Sequence, residues 1–178
     1  MKKNPALQIA ALVLALLAIA PGPNLNAQEM HHKAPAIPST SLTIGYEGKT
    51  LTFSPVEIAA MAHTTVSVFN AHSKTSETYS GVPLCDLLAK LEVPQGEKVR
   101  GALFLTGVIA EGTDGYKVLY ALAEVDPTIH TGQIIVADTL DGKPIAADGA
   151  FKLVSTEEKR PARWVRNLTS ISVVTVKP

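Results

Sequence analysis

The sequence predicts an α+β domain. Three observations carry this: short β-branched or alternating apolar runs recur along the chain, only brief helical patterns interrupt them, and there is no internal repeat or second domain. Of the 178 residues, 46% are hydrophobic and 18% charged, the composition of a globular chain long enough to bury a core.

Taken in order, the chain starts with Lys2-Lys3, an apolar run from Ile9 to Ala20 and then Pro21-Gly22-Pro23. This is the pattern of a secretory signal peptide, expected over residues 1–27 with cleavage at Ala27. The apolar run is too short to span a bilayer whose hydrocarbon core is about 30 Å thick. No cysteine follows it, so no lipid anchor is expected, and the mature chain is expected to be periplasmic or secreted without a membrane span. Residues 28–40, Pro-rich and polar, read as a flexible lead-in. Its Met30-His31-His32 offers imidazoles that bind soft or borderline metals, with a solvated tail as the alternative. The domain proper is expected over residues 41–178.

Leu42, Ile44 and Tyr46 alternate, Glu47-Gly48-Lys49 reverses the chain, and Leu51 and Phe53 alternate again, which predicts a hairpin with one buried face. Ser54-Pro55-Val56-Glu57 is a capping box with Pro at the first helical position, so a helix starts there. Thr64 to Phe69 is β-branched and alternating, a strand, and residues 70–75 are the loop at its end. Tyr79-Ser80-Gly81-Val82-Pro83 reads as a turn into a second helix with Leu84, Leu87, Leu88 and Leu91 on one face. Cys85 lies beside that face, where a buried inert thiol is expected. As the chain's single cysteine it makes no internal disulfide, so packing must hold the fold.

Ala102 to Glu124 forms the organising centre. Leu103 to Ile109 reads as a strand buried on both faces, Gly112-Thr113-Asp114-Gly115-Tyr116 as a tight reversal, and Val118 to Tyr120 as the returning strand. A reversal that puts Tyr116 beside Gly115 makes a ligand rim or simply a turn. Gln133 to Ala137 is a short buried strand, Asp141-Gly142-Lys143-Pro144 a turn, Phe151 to Val154 a further extension, and Ile171 to Val176 a closing strand expected mid-fold.

Charge excludes some functions. Without residues 1–27 the chain carries 14 basic and 16 acidic residues, net −2, which gives nucleic acid no electrostatic footprint. There is no phosphate loop, no His-Glu-x-x-His pair and no Gly-x-Ser-x-Gly elbow. His63, His72 and His130 have no metal-ligand spacing. The densest charge runs from Thr156 to Arg166, where Lys159, Arg160 and Arg163 surround Trp164. Arginine forks bind oxyanions and an indole stacks on a flat ring, so this cluster suits a planar anion. The alternative is a solvated loop with Trp164 plugging the core.

The motifs also fall in an informative order: Tyr79-Ser80-Gly81-Val82-Pro83-Leu84 leading into Asp86-Leu87-Leu88, then Asp114-Gly115-Tyr116, then Asp141-Gly142-Lys143-Pro144-Ile145, then Arg163-Trp164-Val165-Arg166-Asn167-Leu168. With these the chain resembles, over residues 40 to 176, the oxidoreductase molybdopterin-binding domain of the sulfite oxidase type. The resemblance implies a mixed, barrel-like α+β fold with short helices, a molybdopterin cofactor and oxygen-atom transfer. It places the family's molybdenum-ligating cysteine at or next to Asn70, and a neutral amide is a poor substitute for a thiolate. The expectation is therefore an exported family member degenerate at its molybdenum site, with no catalytic or metal-ligating residue assigned. Asn70, His72, Lys74, Tyr116, Lys159, Arg160 and Arg163 are the expected cofactor-binding set, the basic residues on phosphate. The alternative is a non-enzymatic periplasmic module for a small anionic ligand or a protein partner.

Overall fold

A computed structural model describes residues 37–145 and 147–176. The expected signal peptide, most of the lead-in and Met30-His31-His32 lie outside the described residues. The strands are β1 (Leu42–Tyr46), β2 (Lys49–Phe53), β3 (Thr64–Asn70), β4 (Thr75–Pro83), β5 (Thr106–Gly112), β6 (Lys117–Ala121), β7 (Ile134–Leu140), β8 (Lys143–Pro144), β9 (Lys152–Ser155) and β10 (Leu168–Thr175). The helices α1 (Pro55–Ala59), α2 (Leu84–Ala89) and α3 (Leu122–Val125) are short. No helix among the described residues is long and apolar enough to cross a membrane.

The strands make two sheets. The first runs β2-β1-β10-β5-β6, with β10 parallel to β1 and antiparallel to β5. The closing strand thus lies at the centre, as its β-branched run predicts. The second runs β3-β4-β7, and β7 then pairs along one half with β9 and along the other with β8. Leu42, Ile44, Val108, Ala110 and Ile171 of the first sheet share a buried cluster with Val82, Val136 and Leu153 of the second and with Leu84, Leu87 and Leu88 of α2. Residues an odd number of steps along the same strands, Tyr79, Ile135, Ala137 and Val154, point to the opposite face of the second sheet. Trp164 and Ile145 join them in a smaller buried cluster. β7 is buried on both faces over this stretch, which is why Ile134 to Ala137 is an uninterrupted apolar run, whereas β3 at the edge exposes Thr65, Ser67 and Phe69.

Local chemistry sets the element ends. The Ser54 side chain accepts from the Glu57 N–H, and the Glu57 carboxylate accepts from the Ser54 N–H at 2.7 Å, closing the capping box of α1. His63, just beyond α1, contacts Met61 O and Asp138 Oδ2 through its two ring nitrogens, at 2.8 and 3.0 Å. Burial opposes protonation of this imidazole, but those acceptors outweigh it and raise its pKa.

Two expectations need correction. Residues 103–105 are not strand: Gly101–Leu105 forms a 3-10 turn, and Phe104 and Leu105 are 52% and 47% exposed. The β5–β10 ladder begins at Thr106 opposite Thr175; beyond it the Val176 N–H still donates to Leu105 O at 3.0 Å, but the chain before Thr106 coils away from the sheet edge. β5 itself alternates between buried and half-buried positions, as one strand of a sheet with one covered face does. The Tyr79–Pro83 segment is not a turn but the second half of β4. Its Gly81 meets a register shift, which leaves Asp138 of β7 without an opposite residue.

Candidate functional site

The β3–β4 hairpin ends in a tight reversal over residues 71–74, closed by Asn70. The Asn70 Oδ1 accepts from the His72 N–H at 3.0 Å, and its Nδ2 donates to Glu77 Oε1 at 2.9 Å. Such a side-chain bond to backbone two residues on is what Asn does at turns. Lys74 sits in the left-handed region, φ 59°, to complete the reversal.

Below this tip lies a buried charged network. Lys152 is 6% exposed although it belongs to a strand of apolar residues. Its Nζ donates to Tyr79 Oη at 2.7 Å and to Asp148 Oδ2 at 2.8 Å. Tyr79 Oη in turn donates to Glu77 Oε2 at 2.7 Å. The Lys152 ammonium also lies 4.8 Å from the centroid of the Tyr79 ring and 5.4 Å from that of Trp164. Those two rings meet edge to face, 5.7 Å apart, and Trp164 Nε1 donates to Ser155 O at 2.9 Å. Burial and the adjacent Glu77 push the Tyr79 hydroxyl far above its ordinary pKa, so it stays a neutral donor.

Burial pushes the Glu77 carboxyl up, but hydrogen bonds from Tyr79, Asn70 and Ser73, with the Lys152 charge, outweigh it and hold its pKa below the ordinary value. A lowered carboxyl contributes stability that is present above the unfolded value, about 4.3, and lost as pH falls through the folded one. Urea melts near pH 7 and pH 3 are therefore expected to show a smaller acid loss of stability in Glu77→Gln than in the wild type.

This network forms one wall of a cavity of about 360 Å³ lined by Asn70, His72, Glu77, Tyr79, Asp148, Lys152, Trp164 and Arg166 among others. Pro161, Trp164 and Arg166 continue into an adjoining cavity of about 190 Å³ that also takes in Asp114 and Tyr116. The Tyr116 hydroxyl donates to Ala162 O and ties the β5–β6 reversal to the penultimate loop. Of the expected set, Asn70 and His72 line the larger cavity and Tyr116 the smaller. Lys74, Lys159 and Arg160 are exposed and line neither.

Arg163 faces another hollow. Its Nε donates to Glu158 at 2.7 Å, its Nη1 and Nη2 to Glu124 at 3.2 Å, and its guanidinium stacks 4.4 Å from the Tyr120 ring centroid. Trp164 is 5% exposed: it plugs the smaller core cluster and lines both cavities at once. Glu77, Asp148 and Lys152 escape a reading that looks for charge runs, and Arg166, though within the Thr156–Arg166 run, is not among the expected binding residues. The available signal was Lys152, a cation inside the apolar segment 151–154, where burial demands a partner.

The metal expectation can be tested on the donor set. Both polar ends of the Asn70 side chain are engaged in the hairpin, and an amide supplies no thiolate. Cys85 lines a different cavity with Pro83 and Asp86, and burial pushes its thiol up to about 11, away from a ligating thiolate. Among the described residues no group of three or more His, Cys, Asp or Glu could hold a metal ion. These residues do not fit a molybdenum centre.

No family model matches the chain, and no curated protein matches it. Among solved structures, the fold is similar to that of the sulfane dehydrogenase SoxCD from Paracoccus pantotrophus, with a TM-score of 0.56 and 16% identity. The similarity covers 78% of this chain and 39% of that one, so the chain spans well under half the length of that neighbour. At this identity the likeness is one of fold. It supports a mixed α+β architecture shared with part of that neighbour and no more.

Proposed function

We propose that this protein is an exported binding protein on a molybdopterin-binding oxidoreductase fold, whose cavity holds a small planar anion without metal-centred chemistry. The observation that carries the reading is that the strand tip and the penultimate loop wall one cavity, with Trp164 as its aromatic side and the Asn70 amide already engaged. The motif order from Tyr79 to Leu168 and the fold likeness to a sulfane dehydrogenase support the scaffold. The Lys2-Lys3 and Ile9 to Ala20 pattern supports export to the periplasm or beyond. A pterin bearing one carboxylate belongs to the proposed ligand class, since it is flat and carries a single negative charge.

The test is to produce the chain in a cofactor-competent host, measure molybdenum in the purified protein, and follow its thermal unfolding with added 6-carboxypterin. A ligand of the folded state alone raises Tm by mass action. The reading expects negligible molybdenum and a Tm that climbs with ligand concentration. About one molybdenum per chain, or a Tm indifferent to millimolar ligand, would overturn it.

A further inference from the structure

The charges around the larger cavity restrict what it can take. Two cations, Lys152 and Arg166, and two carboxylates, Glu77 and Asp148, line it, with His72 at the exposed hairpin tip. Glu77 is held by Asn70, Ser73 and Tyr79. Asp148 is the residue shared by both cations: its Oδ2 accepts from Lys152 at 2.8 Å, and its Oδ1 faces Arg166 Nε at 3.8 Å. Lys152 is buried beneath the aromatic pair, whereas the Arg166 side chain is 69% exposed at the junction of the two cavities.

An entering anion therefore meets cations that are already partly neutralised. Its first charge can share the Arg166 fork, whose terminal nitrogens extend beyond the Asp148 contact. A second charge on the same group would face Asp148 and Glu77 across a partly desolvated space, where like charges repel more than in water.

We propose that Asp148 is the specificity-determining residue of this cavity. By holding Lys152 and Arg166 together it selects planar ligands with a single negative charge, carboxylates or sulfonates, over dianions such as phosphate monoesters. The inference rests on the binding reading above and deepens it. Discrimination by an unfavourable charge placed against the wrong ligand is a common route to specificity.

The test compares two probes with the same ring, 2-naphthoate and 2-naphthyl phosphate, by calorimetric titration near pH 7.5, where the phosphate carries close to two charges. The wild type is expected to bind the carboxylate at least about tenfold more tightly. Asp148→Asn keeps an oxygen acceptor for Lys152 Nζ while removing the charge, and is expected to shrink or invert that preference by a similar factor. Equal or tighter phosphate binding by the wild type overturns the inference, and so does an unchanged ratio in Asp148→Asn that circular dichroism shows to be folded. If that variant does not fold, the wild-type ratio alone decides. Binding of neither probe overturns the binding reading and this inference together; equal binding of both overturns the charge selection alone.

Discussion

Gly81→Ala is expected to leave the protein largely unfolded at room temperature. A Cβ on Gly81 would lie 2.2 Å from Val136 O and 2.4 Å from Ala137 Cα. Both are backbone atoms of β7, the strand that joins β4 to β8 and β9, so no side chain can swing aside. Relief requires β4 and β7 to part where Val82 and Val136 enter the main core and Tyr79 and Ala137 the smaller one. Core overpacking ordinarily costs about 1–3 kcal/mol. A backbone collision in a doubly buried sheet belongs beyond that range, at about 4 kcal/mol or more, which rivals the total stability of many domains. Loss of the urea unfolding transition, or a midpoint shifted to near zero denaturant, is the expected readout. Gly142→Ala is the informative contrast: its positive φ of 76° strains any side chain, but nothing lies within 4 Å of the added Cβ. Its cost is expected to stay near 1 kcal/mol, the usual scale of a residue forced into that region.

Lys152→Met is the second large effect. It leaves the half-buried Asp148 beside only the distant Arg166 contact and deprives the Tyr79 hydroxyl of its donor, though the methionine chain still packs over the Tyr79 and Trp164 rings. Removing one partner of a buried pair typically costs about 3–5 kcal/mol, because the remaining charge loses compensation while its desolvation persists. Replacing Asp148 with Asn in the same chain removes that stranded charge. The double variant Lys152→Met/Asp148→Asn is therefore expected to be more stable than Lys152→Met alone, a coupling of about 1–3 kcal/mol that additive effects would not produce. Chemical denaturation of the four members of this cycle measures it.

Much of the scaffold was legible because local and global preferences agree. The alternation of Leu42, Ile44 and Tyr46, the capping box at Ser54 and Glu57, and the β-branched closing strand each point to one structure, and each forms. The misreadings fall where distant pairing decides. Ser80-Gly81 looks like a turn because those residues break regular structure, yet here Gly81 is required by the closeness of β7. Phe104 and Leu105 look like strand, but the β5–β10 ladder starts at Thr106, and residues 101–105 coil into a 3-10 turn whose Leu105 O accepts from the Val176 N–H.

The site divides the same way. Asn70, His72 and Tyr116 were reachable from motif order, whereas the cations were sought in the exposed run of residues 156–166. Arg163 is held there by Glu124 and Glu158, and the cavity takes its charge from Lys152 and from Arg166 of the same loop. Which member of a basic cluster turns inward depends on strand register and on acids far away in sequence, such as Glu124 and Asp148, and no local pattern encodes that.

Trp164 is the chain's single tryptophan and lines both cavities, so its fluorescence reports on the site directly. The decisive measurement is a titration of that emission with a planar carboxylate, run in parallel on the wild type and Arg166→Gln. The account predicts saturable quenching in the wild type and at least about tenfold weaker binding in the variant, the loss expected of one charged fork. Emission that stays flat, or quenching that is identical in the two proteins, would contradict it.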